Sequence, residues 1–438
     1  MESSDDPRHA LLLAALRGQG PLPAASLAAR LGVSQPTLSR LLQGLSAEVK
    51  VAGSGKKTRY AAAQTILGQA AGQPLHWVHE DGRVEAWGRL TLLARGQVHV
   101  QAFGIDDLFT GLPWFLTPLR AQGFLGRLLA RQLAPLGFDA DPERWPLEQV
   151  LHAALALADA PGALRLGPAD EAPAPLPVID TPASFDALAD EVAQTLPAGS
   201  SAGGEQAKFL ARTAGGEAVL VKFSPPRGTP FGERWHDLLL AEHLALETLA
   251  AHGTPVAASR LVQTARRSYL VSQRFDRIGP LGRRHVVALD AWHTAFVPGA
   301  RQHWAATCAE LARQRRVPAE TPEQAQALLH FGRLIGNTDM HFGNLSLWLE
   351  PADVAAGRGR LAPVYDMLPM RWRPDATTGA LDLTPFTPDA VSLQSAAAPL
   401  AAAFWARCAA EPSMSRPFAA LAGAMARRIN SGIGPGMA

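Results

Sequence analysis

In the stretch Gly336-Asn337-Thr338-Asp339-Met340-His341-Phe342-Gly343-Asn344, Asp339 is followed five positions later by Asn344. A carboxylate and an amide at that spacing suit phosphoryl transfer: the carboxylate accepts a hydroxyl proton and the amide oxygen holds a divalent metal ion. A second metal-holding carboxylate is needed at a strand end, and Asp366 closes the short apolar run Leu361-Ala362-Pro363-Val364-Tyr365-Asp366. Upstream, Ala218-Val219-Leu220-Val221-Lys222 reads as a strand ending in a cation that can hold nucleotide phosphates. Glu242 follows 20 positions later inside the leucine-rich helix LLLAEHLALETLA. Before the Lys222 strand, the segment from Ser200 to Phe209 (SSAGGEQAKF) is a glycine-containing turn whose amides can approach phosphates. Each piece alone has a bland reading. An Asp in a Gly/Asn loop is commonly a turn residue, a Lys after valines a snorkelling strand end, and Glu242 an exposed helical charge. The order Lys, Glu, Asp, Asn, Asp is what argues for one site.

Taken together, the Gly-Gly-x-Gln-x-Lys segment, the Lys222 strand, Arg274-Phe275-Asp276-Arg277, the Asn-x-Asp-x-His-x-x-Asn loop and the Tyr365-Asp366 pair resemble the HipA family of toxin kinases. An added N-terminal domain resembles the YjjJ-type subgroup. The likeness covers roughly residues 180–375 and, more weakly, 75–160; ordinary HipA proteins lack the first 65 residues and borrow DNA binding from a separate antitoxin. The resemblance implies a serine/threonine protein kinase that uses ATP and Mg2+ and acts as a growth inhibitor of the toxin–antitoxin kind. It implies that Asp339 is the catalytic base with His341 supporting its loop, and that Asn344 and Asp366 hold magnesium. Gly203, Gly204, Gln206, Lys208 and Lys222 would bind ATP, with Glu242 anchoring Lys222. Ser201 aligns with the phosphate-loop serine that such kinases phosphorylate on themselves to switch off. Relatives of this kind act on translation proteins such as aminoacyl-tRNA synthetases, and nothing in the sequence names the target. Two departures stand out: the phosphate loop reads Gly-Gly-Glu-Gln-Ala-Lys, and Asp366 is followed by Met367-Leu368 instead of Phe-Gly. The first leaves the phosphate contacts open.

The expected architecture is α+β, a winged helix-turn-helix domain followed by a HipA-like, two-lobed protein-kinase-like fold. The domains are expected over 1–65 (winged helix), 66–180 (N-terminal subdomain and linker), 181–295 (N-lobe with phosphate loop and Lys strand) and 296–438 (helical C-lobe with catalytic loop). The segment from Ala25 to Leu31, the turn Gly32-Val33-Ser34 and the segment from Gln35 to Leu45 read as helix, turn, helix. Two short strands around Gly53-Ser54-Gly55 would form the wing. In that geometry the second helix presents Ser34, Gln35, Thr37, Ser39 and Arg40 to a major groove, while Lys50, Lys56, Lys57 and Arg59 reach phosphates of double-stranded DNA. A helical dimerisation module is the alternative reading, so a homodimer stays open, as does a separate antitoxin. A hairpin is expected around Asp81-Gly82, a helix over FLGRLLARQLAPL, a linker from Asp159 to Ser184, and a capping box at Thr321-Pro322-Glu323-Gln324.

Charge supports the DNA reading. The whole chain carries a net +2, yet residues 8–60 hold eight Lys/Arg against the single acid Glu48. The start MESSDDPRH is unlike a secretory signal, no apolar run approaches a membrane span, and only Cys308 and Cys408 are present, so a cytoplasmic protein without a membrane partner or disulfide framework is expected. The same two distant cysteines, and the lack of an Asp-x-Gly-x-Thr motif, argue against a sugar-kinase-type transcription factor. A DNA-binding regulator using a kinase-like fold as a ligand sensor, and a small-molecule phosphotransferase, remain as alternatives.

Overall fold

The computed structural model describes residues 6–432 except 54, 158, 170–174, 196–205, 376–377 and 379, together with all but the side chain at Lys56. The chain divides into two compact units, Met1–Gln122 with Leu129–Ala174, and Gly123–Leu128 with Pro175–Ala438.

The first unit opens on α1 (Pro7–Gln19), started by Asp6, whose side chain accepts from the Arg8 amide, and by Pro7 in the first turn. α2 (Ala24–Leu31) ends at Gly32, φ +62, a left-handed conformation that glycine enters without a Cβ penalty. α3 (Gln35–Gly44) follows, capped by the Ser34 hydroxyl. β1 (Val49–Ala52) and β2 (Arg59–Ala62) pair antiparallel as the wing. Leu12, Leu16, Leu27, Leu38 and Leu41 from the three helices close over Val49, Ala62 and Ala94 in one core. Ala94 directly follows a strand of the next sheet, and its amide donates to Ala62 O at 2.9 Å, so the winged helix is joined to the end of that strand. The sheet has the order β6-β5-β4-β3-β7: β3 (Gly72–Val78), β4 (Val84–Leu93), β5 (Gln97–Ala102), β6 (Ile105–Thr110) and β7 (Leu164–Leu166). All its pairings are antiparallel, with the β3–β4 connection at Asp81-Gly82. α4 (Gly123–Leu133) and α5 (Leu147–Ala156) lie between β6 and β7 in sequence.

The passage from Asp159 to Ser184 is not the plain linker its composition suggests. β7 lies in it, β8 (Val178–Ile179) joins the sheet of the second unit, and α6 (Pro182–Gln194) starts there behind a Thr181/Ser184 capping box. Strands of two or three residues leave no readable alternation, although Leu164, Leu166 and Ile179 are buried.

In the second unit β9 (Lys208–Thr213), β10 (Ala218–Phe223), β11 (Ser259–Gln263) and β12 (Ser268–Gln273) complete a sheet of order β11-β12-β10-β9-β8, antiparallel except for β8–β9. α7 (Pro230–Ala251) lies between β10 and β11 in sequence. Val219, Val221, Phe223, Phe209 and Ala211 share one face with Phe185 and Ala189 of α6. Period-two alternation sends Lys222 and its cross-strand partner Lys208 to the opposite face, the side of α7. After a hairpin of β13 (Arg277–Ile278) and β14 (Gly282–Arg283), β15 (His285–Ala288) leads into α8 (Leu289–Phe296), α9 (Trp304–Arg313) and α10 (Thr321–Leu334). β16 (Ser346–Leu349), α11 (Pro351–Ala356) and β17 (Arg360–Leu361) follow, with β15-β16-β17 forming an antiparallel sheet. The chain finishes in α12 (Ala390–Leu393), α13 (Ala397–Ala410) and α14 (Arg416–Gly432), packed around Trp372, Phe404, Trp405 and Phe418.

The expected capping box at α10 does not form. Glu320 occupies the cap without a side-chain bond, and Thr321 is drawn inside, 1% exposed. Among the described residues no helix is long and apolar enough to cross a membrane.

Candidate active site

Lys222 is delivered by β10 and Glu242 by the buried middle of α7. The ammonium donates to both Glu242 carboxylate oxygens at 2.7 Å and to Asp366 Oδ1 at 2.6 Å. Lys222 is 5% exposed and Glu242 2%, while the Asp366 side chain opens further, at 29%. Burial alone would drive the lysine toward neutrality, but the Asp366 and Glu242 carboxylates outweigh it and hold its pKa above the ordinary value. Burial likewise opposes ionisation of Asp366, yet Lys222 and then Lys208 bring its pKa down to about 2. Asp366 has φ +58, a left-handed backbone that Asp tolerates better than most residues.

α7 is held firmly in place. Asp237 accepts from the Ser415 amide at 2.9 Å and hydroxyl at 2.6 Å, His236 bonds Ser268 Oγ and Ser413 O, and Arg234 donates to Trp372 O and Asp382 O at 2.8 Å. These contacts tie the Glu242 helix to the C-terminal helices from one side and to the sheet from the other.

The loop after α10 approaches the same place. Asn337, 6% exposed, accepts from the Asp339 amide at 3.0 Å and donates to Asp366 O at 3.4 Å, joining the two segments. Asn344 Nδ2 donates to Asp339 O at 2.9 Å, which leaves the amide oxygen of Asn344 as an acceptor. His341 accepts from the Gly343 amide at 3.0 Å and shapes the turn, and its carbonyl accepts from Trp304 Nε1 at 3.1 Å. The Tyr365 hydroxyl donates to Gly343 O at 2.6 Å and lies 2.7 Å from Ser346 Oγ. Asn337 and Tyr365 belong to the sequence motifs, yet their work is visible only as hydrogen bonds between distant segments. Asp339 itself is exposed and lines a cavity of about 390 Å3 with Thr338, His341, Arg333 and His303.

Gln206 donates to Phe223 O at 2.6 Å, while its side-chain oxygen is buried with no partner among the described residues. Half-buried Lys208 has its pKa lowered by burial, more than the nearby Asp366 carboxylate raises it. Ser201, Gly203 and Gly204 lie outside the described residues. Among the described residues no three His, Cys, Asp or Glu side chains gather as a transition-metal site would require. One carboxylate and one amide oxygen are instead the sparse, hard donor set that magnesium takes together with substrate phosphates, so Asp366 and Asn344 fit that ion.

On α3, Gln35, Ser39 and Arg40 are exposed; the Ser34 and Thr37 hydroxyls are 3.0 Å apart and Ser34 is engaged in capping. Lys57 is exposed, Lys50 half-buried, and Arg59 donates to Thr58 O at 3.1 Å.

Residues 200–431 match the model of the HipA-like C-terminal domain, and residues 69–172 that of the YjjJ-like toxin middle domain. Across 94% of the chain and 95% of the relative, it is 35% identical to Toxin YjjJ of Escherichia coli strain K12. The chain belongs to the HipA-like toxin family. Among solved structures, this HipA-like chain resembles HipA in the Shewanella oneidensis MR-1 complex of HipA, HipB and operator DNA. That match has TM-score 0.50 and 16% identity over 82% of this chain and 96% of that one. The Helicobacter pylori proinflammatory kinase CtkA matches with TM-score 0.35 and 14% identity over 52% of this chain and 88% of that one. The chain therefore has a HipA-like fold of mixed helix and sheet, with a winged helix at its N-terminal end.

Proposed function

We propose that this HipA-like protein is an ATP- and Mg2+-dependent serine/threonine protein kinase that restrains growth. The observation that carries the reading is the meeting of Lys222, Glu242 and Asp366, whose ion pairs join a strand, a helix and a loop far apart in sequence. In a phosphotransferase the protein mainly positions groups and neutralises charge. Glu242 fixes the Lys222 ammonium, which swings from Asp366 to the phosphates when nucleotide enters. Asp366 and Asn344 would hold magnesium, which would supply charge neutralisation to the transferring group. Asp339, beside the 390 Å3 cavity, orients a Ser or Thr hydroxyl there and accepts its proton. Lys208 and Gln206 flank the entry of the phosphate loop. Ser201 within that loop remains the candidate for self-phosphorylation, which would add about −1.5 to −2 charges beside the nucleotide and expel the loop.

The exposed residues of α3 and the basic wing support DNA binding by the same chain, with α3 in the major groove. The HipA relative crystallised with HipB and operator DNA makes an antitoxin partner a reasonable extension. Translation proteins, aminoacyl-tRNA synthetases among them, are the substrate class to try first. The test is transfer of labelled phosphate from ATP to proteins of a cell lysate by the purified chain, with the Asp339→Asn variant as control.

A further inference from the structure

Arg315, Arg316, Arg358 and Arg360 line one cavity of about 460 Å3 in the second unit, with Glu350 and Asp353 as its only carboxylates among the described residues. Four guanidinium groups against two carboxylates leave a surplus of two positive charges on one concave wall. Two of the arginines are already engaged. Arg316 donates to Gln314 Oε1 at 2.9 Å and Gly357 O at 3.1 Å and lies 3.7 Å over the Phe296 ring, while Arg360 meets Glu350 at 3.3 Å. Arg315 and Arg358 are exposed, and neither guanidinium has a partner among the described residues.

Arg315 also sits at φ +57, a left-handed backbone that strains any residue with a Cβ and that glycine enters freely. The conformation ends α9: the Arg315 amide donates to Ala312 O at 2.8 Å and the Arg316 amide to Leu311 O at 2.9 Å, and this turn sets Arg315 on the cavity wall. β16 begins two residues after Asn344 and ends at the cavity, and β17 starts at the cavity and leads on toward Asp366. The lining of this cavity shares no residue with the cavity that Asp339 lines, and it includes neither Asn344 nor Asp366. It is therefore a separate cavity, lined in part by β16 and β17.

We propose that this cavity binds a phosphate group, with Arg315 and Arg358 as its ligands. A free phosphate or phosphate monoester carries close to two negative charges in a compact tetrahedron that two guanidinium forks can grip, which matches the surplus on the wall. A carboxylate carries one charge, and an extended acidic chain would have to pass Glu350 and Asp353. The volume suits a ligand of nucleotide size. The phosphate can come from a free small molecule, with both charges on one group, or from a nucleic-acid backbone, whose singly charged phosphodiesters would supply them from two neighbouring phosphates.

The test is calorimetric titration of the full chain with inorganic pyrophosphate, a short single-stranded RNA and polyglutamate, comparing the parent with Arg315→Gly and Arg358→Ala. Arg315→Gly relieves the backbone strain, so loss of binding there does not report unfolding. The expected result is saturable binding of a phosphate-bearing probe, weakened by about tenfold or more in each variant. Pyrophosphate binding more tightly than RNA assigns the site to a small molecule; RNA binding more tightly, with the same arginine dependence, assigns it to a nucleic-acid backbone. Equal affinity of parent and variants for both phosphate probes, or polyglutamate binding as tightly as either, overturns the proposal. Neither outcome depends on phosphotransfer, so the kinase reading stands or falls separately.

Discussion

Lys222 Nζ lies 2.6 Å from Asp366 Oδ1, across 144 positions of sequence, and the same ammonium holds Glu242. Removing it in Lys222→Met leaves Glu242 buried and unpaired, which should cost about 3–5 kcal/mol in urea unfolding. The double variant Lys222→Met/Glu242→Leu should recover most of that loss while remaining unable to bind ATP. A double variant as unstable as the single one would mean that the pair is not the seat of the cost.

The same contact predicts an acid signature. Asp366 has a folded pKa of about 2 against an ordinary 3.8, so its contribution to stability is complete above the ordinary value and is lost as pH falls through the folded one. The difference in Tm between the parent and Asp366→Asn should be constant above about pH 4 and shrink toward pH 2. A difference that stays flat over that interval contradicts the ion pair.

Tyr365→Phe removes the donor to Gly343 O and the contact with Ser346, and leaves a carbonyl of the candidate catalytic loop unanswered. Stability should fall by about 1–3 kcal/mol. Phosphotransfer should need more magnesium, because Asn344 and Asp366 flank that bond in sequence. An unchanged magnesium dependence would reduce Tyr365 to a packing residue.

Much of this arrangement is legible in the order of residue types along the chain. Lys222 and Glu242 can be named from strand and helix patterns, and the helix-turn-helix from Leu27, Leu38 and Leu41 at core spacing, whereas Asp366, expected at a strand end, lies in a loop beyond β17 (Arg360–Leu361). Asn337 and Tyr365 can be seen but not assigned, since a hydrogen bond between loops leaves no periodicity. β7 and β8 are hidden in an Ala/Pro/Gly-rich passage because two or three residues are too few to alternate. Thr321 misleads because a cap-like residue placed one position later enters the helix core instead.

For DNA, replacing Lys50, Lys57 or Arg59 with alanine in the full chain should lower the slope of log K against log salt by about 0.9 each. Arg40→Ala should instead relax sequence choice, by about 1–3 kcal/mol at one base pair. Binding that ignores both sets of changes would return the N-terminal helices to a dimerisation role.

The most direct measurement is phosphate transfer from labelled ATP with magnesium to lysate proteins, parent against Asp339→Asn. The parent should label at least one protein on Ser or Thr, and the variant, folded to the same Tm, should be slower by about 10²–10⁴-fold. Equal labelling by the two, or none by the parent, would contradict the assignment of Asp339 and with it the kinase.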